Sequence, residues 1–180
     1  MQNLREAVEQ RLQRLLRQNP LRTDFQQHYE QIVSAYNREK DRVTIEQTFE
    51  SLFKLVQELD DEAHRAVREG LDEESLAIFD LLNKPDLNPP DIQRIKAVAT
   101  QLLARLKEEK LRVDQWREKE ATRDAVRQAI YDFLWNENTG LPVDCFAEQD
   151  VEVKAEKVFR HIYRTYPTLP SPYFSAHPGI

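Results

Sequence analysis

Five side chains in this chain could ligate a metal through nitrogen or sulfur: His28, His64, His161, His177 and Cys145. A metal site needs its ligands to converge within about 2 Å of one ion. These residues are scattered, with neither a CxxC nor an HxxxH spacing, and read as surface histidines and one ordinary buried thiol. Asp144 followed by Glu152 and Lys154 comes closer to a reaction. Metal-dependent nucleases pair an Asp with a Glu-x-Lys, the carboxylates holding Mg²⁺ and the lysine poising the attacking water. That chemistry needs the Glu and the Lys on one side of a strand. Here they lie two apart in a helical stretch, about 200° around the axis, and cannot converge. The acid pairs Asp60-Asp61 and Glu73-Glu74 have no apolar cleft or His partner and read as helix-end charges. A phosphate-cradling loop needs closely spaced glycines before a Lys and a Ser or Thr. The three glycines, Gly70, Gly140 and Gly179, are far apart. No catalytic, cofactor-binding or metal-binding residue is assigned.

Charge points to one further patch. The net charge is −6 and the pI about 5.3, unlike a duplex-binding domain that gains its affinity from neutralised phosphates. The first segment nevertheless carries Arg5, Arg11, Arg14, Arg17 and Arg22 against Glu6 and Glu9, whereas residues 58–80 are strongly acidic. No aromatics interleave the arginines, which fits a solvated face; of these, Arg5, Arg11, Arg14 and Arg17 are the candidates for phosphate contact. Trp116 and Trp135 are read as core or edge-of-core residues. They are also the candidates for partner contact, because Trp is enriched at interface hot spots.

The elements that would position these residues are helices. Glycine poverty, and the lack of any Gly or Pro between Pro90 and Gly140, argue against a sheet joined by tight turns. Leu4, Val8, Leu12 and Leu15 follow helical spacing until Asn19-Pro20. A second helix starts at Thr23 or Asp24 with Phe25, Tyr29, Ile32, Val33 and Tyr36 as its stripe, and residues 37–42 form a charged corner. Thr44 is the next cap, followed by Ile45, Phe49, Leu52, Phe53, Val56 and Leu59, a wide stripe suited to the centre of a bundle. A short helix with Ala63, Ala66 and Val67 ends at Gly70. Asp72 opens a helix that buries Leu76, Phe79 and Leu82, and Asn88 caps one with prolines in its first turn. Its stripe runs from Ile92 through Ile95, Ala99, Leu102, Leu106 and Val113 to Trp116, with a break expected between Glu108 and Asp114 or, alternatively, one long helix. The segment from about Asp114 to Asn136 buries Trp116, Val126, Ile130, Phe133 and Leu134. A last helix begins near Asp150 and stops before Pro167. The sum is an all-α fold: one compact bundle of seven or eight helices over residues 1–166, with residues 167–180 as a disordered or extended Pro-rich tail. Tyr173 and Phe174 favour a packed strap.

A lone cysteine excludes an internal disulfide and makes the cytoplasm the natural compartment. No apolar run approaches the roughly 18 residues of a spanning helix, so no membrane is expected. Met1 as the only methionine, with a start inside a helical pattern, suggests a piece of a larger protein.

Four runs carry a resemblance. Tyr36 to Phe49 (YNREKDRVTIEQTF), Arg65 to Leu82 (RAVREGLDEESLAIFDLL), Trp116 to Arg123 (WREKEATR) and Val158 to Tyr163 (VFRHIY) together resemble the C-terminal helical domain of the R subunit of type I restriction enzymes. The similarity covers roughly residues 20–166, with residues 1–19 less distinct and the Pro-rich tail departing from it. The resemblance implies a docking segment of an ATP- and Mg-dependent DNA-translocating endonuclease, whose motor and nuclease lie elsewhere in the subunit. Its partners would be the modification and specificity subunits, with DNA reached through the parent complex. It implies no catalytic residue and no cofactor within this segment. The competing reading is a free-standing nucleic-acid accessory protein that contacts phosphates through the arginines of its first helix.

Overall fold

The structure, a computed structural model, describes residues 2–38 and 42–174. Among them run eight α-helices and no strand: α1 (Gln2–Gln18), α2 (Thr23–Arg38), α3 (Arg42–Ala63), α4 (Arg65–Glu69), α5 (Glu73–Leu82), α6 (Pro89–Glu109), α7 (Glu120–Trp135) and α8 (Glu148–Thr165). The helices sort into two compact units, Met1–Gly70 and Leu71–Ile180.

In the first unit, Val8, Leu12 and Leu15 of α1 meet Tyr29 and Ile32 of α2 and Leu52, Leu55 and Leu59 of α3 in one apolar cluster. The stop after α1 is built by Asn19, fully buried. Its N–H donates to the Leu15 carbonyl (3.0 Å) and its Oδ1 accepts from Leu21 N–H (3.0 Å). The expected cap of α3 needs correction. The helix already runs from Arg42, so Thr44 lies inside it. Of the charged corner, residues 39–41 lie outside the described residues. Gly70 ends α4 in the left-handed region (φ 70°), its N–H returned to the Val67 carbonyl at 3.1 Å. Of the apolar residues expected to face inward in α4, Ala66 is buried but Val67 is 80% exposed.

The second unit is organised around α5, which buries residues on nearly every side from Ser75 to Leu82 and packs on α6 and α8. A helix apolar all round belongs in a core. Both caps here were readable in advance. Asp72 Oδ1 accepts from Ser75 N–H (2.6 Å), and Asn88 Oδ1 accepts from Asp91 N–H (2.8 Å). Two helices, not one, follow Asn88. The break falls where expected, but α7 starts at Glu120 rather than near Asp114, leaving Trp116 in the connecting turns. Val113 is correspondingly 44% exposed instead of continuing the α6 stripe.

Trp116 and Tyr166 tie these pieces together. Trp116 Nε1–H donates to the Tyr166 carbonyl at 2.9 Å. The Tyr166 hydroxyl donates to Glu74 Oε2, which also takes Lys107 Nζ. Burial, then Glu74, raise the Tyr166 pKa far above that of a free phenol. Past α8 the chain folds back: Ser171 Oγ donates to the Thr165 carbonyl, and Phe174 stacks on Tyr166 with ring centroids 5.9 Å apart. Ser171 and Phe174 thus pack back against the end of α8, while residues 168, 170, 172 and 173 are exposed; residues 175–180, including His177, lie outside the described residues.

Two consequences are measurable by thermal and chemical denaturation. A Cβ on Gly140 would sit 2.3 Å from the Leu134 carbonyl oxygen and 2.6 Å from that of Asn136, backbone atoms that cannot swing aside. Gly140→Ala is expected to cost about 1–3 kcal/mol, whereas Gly70→Asn, in open space at a φ that Asn tolerates, stays within about 0.5 kcal/mol. A neutral Gly140→Ala would contradict the seating of the loop.

His161 is the second case. Burial, then Arg164, lower its pKa from 6.5 to about 4, and Nε2 has no hydrogen-bond partner. Between those values the unfolded chain holds a proton that the folded one does not. Stability is therefore full above pH 6.5 and falls on the order of 3 kcal/mol as pH drops through 4. His161→Leu should remove that component, so that wild type and variant diverge above pH 6.5 differently from below pH 4. A constant difference across the range would contradict it.

Candidate interaction surfaces

The arginines of α1 do not gather. At 100° per residue, Arg5 and Arg11 flank opposite edges of the buried stripe while Arg14 and Arg17 point away from it, a spread of about 240°. Arg5 lies beside the Tyr29 hydroxyl, whose hydrogen bonding raises the guanidinium pKa further, and Tyr29 in turn donates to Glu9 Oε1. Arg11 Nε is 3.7 Å from Asp60 Oδ1 on the surface. Arg22 is buried. Its Nε donates to Glu62 Oε1 at 2.8 Å, and the same carboxylate takes Arg65 Nε at 2.9 and 3.0 Å. This charge cluster joins the α1–α2 connection to the end of α3, so Arg22 serves the fold. Among the four candidates for phosphate contact, Arg14 and Arg17 are exposed and Arg5 and Arg11 half-buried.

The tryptophans divide. Trp116 is 1% exposed, its ring edge-on to Tyr163 at 6.0 Å. It is a core residue and is corrected out of the partner-contact candidates. Trp135, the last residue of α7, is 42% exposed and accessible to a partner.

Of the groups that resembled nuclease chemistry, Lys154 has structural work, and so do Cys145, Asp72 and Glu74 outside that set. Lys154 Nζ donates to the carbonyls of Leu81 (2.9 Å) and Asn83 (2.8 Å), closing the C-terminal end of α5. Burial lowers its pKa. Cys145 Sγ–H donates to Asp91 Oδ2 at 3.3 Å, and that bond, then burial, raises the thiol pKa. A thiol held protonated is a poor nucleophile. Asp72 caps a helix, and Glu74 holds Tyr166 and Lys107. Among the described residues no three His, Cys, Asp or Glu side chains group as metal ligands would. No helix among them is long and apolar enough to cross a membrane.

The surface that sequence reading missed is on α3. Its wide stripe is expected in the core, yet Ile45 is 40%, Phe49 49% and Phe53 54% exposed, while Leu52, Leu55 and Leu59 are at most 1% exposed. Helical geometry explains the split. The apolar arc from Leu55 to Phe53 spans about 160°, of which the side chains from α1 and α2 bury the roughly 60° holding Thr48, Leu52, Leu55 and Leu59 and partly cover Val56 beyond it. The remainder is a row of three large apolar side chains at four-residue steps, about 12 Å long. Full burial of such a side chain is worth about 1.5–3 kcal/mol, so covering the half-exposed row would return about 2–4 kcal/mol. The arc width was the available signal. One packed face needs little more than about 100°.

A protein-family model described as the C-terminal part of the type I restriction enzyme HindI endonuclease subunit-like proteins matches residues 1–161. The match begins at residue 1 and so takes in α1, which the four runs above resembled less distinctly. No curated protein and no solved structure matches the chain.

The two faces of α3 can be told apart by mutation. Phe49→Ser and Phe53→Ser are expected to cost about 1 kcal/mol or less each in urea unfolding, while Leu52→Ala and Leu55→Ala cost about 2–5 kcal/mol. Equal losses on both faces would mean that the row is core.

Proposed function

Because the chain belongs to the family of C-terminal domains of type I restriction enzyme HindI endonuclease subunit-like proteins, we propose that it is a non-catalytic docking domain. In this reading it attaches the ATP-dependent, DNA-translocating endonuclease to its modification and specificity subunits. The family match over residues 1–161 carries the proposal. Two features of the molecule support it. The side chains with reactive potential, Lys154, Cys145 and Glu74, are engaged in holding helices together. The largest unengaged feature on α3 is an apolar row of the kind that partner surfaces cover. ATP and Mg²⁺ would then act elsewhere in the parent subunit, DNA would be reached through the assembled complex, and the place of action would be the cytoplasm.

The accessory-protein reading would rest on Arg14 and Arg17, which present only a small part of the first helix to phosphate. The two readings separate in one set of assays. The purified chain is expected to be retained by its cognate modification core and to show neither ATPase nor nuclease activity by itself. If the core retains the complete endonuclease subunit but not this chain, the docking reading is wrong. A salt-sensitive DNA shift by the chain, abolished by Arg14→Ala with Arg17→Ala, would establish the competing one.

A further inference from the structure

We draw no further inference here: the strongest candidate, the half-exposed Ile45–Phe49–Phe53 row along α3, has charges of both signs beside it, Lys54 as well as Glu50, and nothing in the structure shows what covers it.

Discussion

A helix can bury only as much of its circumference as its neighbours reach, and the first unit is organised by that limit. Side chains from α1 and α2 meet the same part of α3, in one cluster with Leu52, Leu55 and Leu59 at its centre. The charge cluster of Arg22, Glu62 and Arg65 closes the end of that packing. A buried charged group is tolerable only when paired and hydrogen-bonded, and Glu62, with two arginines on one carboxylate, meets the condition. With α1 and α2 fixed on one side of α3, Ile45, Phe49 and Phe53 on its other side stay 40–54% exposed. That exposed apolar face is thus a consequence of the packing rather than an addition to it.

The second unit obeys a different constraint. Its segments converge on Tyr166, fully buried at the end of α8. The Tyr166 carbonyl accepts from Trp116, its hydroxyl reaches Glu74, and Phe174 lies on its ring. Lys107 completes the arrangement by meeting both Glu74 and the Tyr166 ring face. One residue therefore ties together α5, α6, the turns before α7, α8 and the strap. Such a network fixes geometry, because each polar group left without its partner would be a buried, unsatisfied one.

Local chemistry made much of the fold legible in the sequence. Asp72, Asn88 with Pro89 and Pro90, and Gly70 mark helix ends through side-chain acceptors, a preset φ and a left-handed turn, all of them properties of neighbouring residues. What depended on the tertiary neighbour was hidden. Phe49 and Leu52 are both apolar residues on one broad stripe, and only the position of α1 and α2 decides which is covered. Arg22 and Arg14 look alike in sequence, yet Glu62, forty residues on from Arg22, buries the first. The sequence puts Trp116 in a helix from about Asp114, because nothing local announces that the turns after Glu109, which contain no glycine or proline, run on to Lys119. The decoy lysine, Lys154, was correctly separated from Glu152 by helical geometry, but its task at the end of α5 needed the fold.

The claim on which the account turns is that α3 has an apolar face free in the isolated chain and covered in the restriction complex. The most direct measurement is the thiol-labelling rate of Phe53→Cys, made in a Cys145→Ser background, with and without saturating modification core. The account predicts labelling close to that of an exposed thiol in the free chain and strong protection once the core is bound. An unchanged rate in a chain shown to be bound would contradict it.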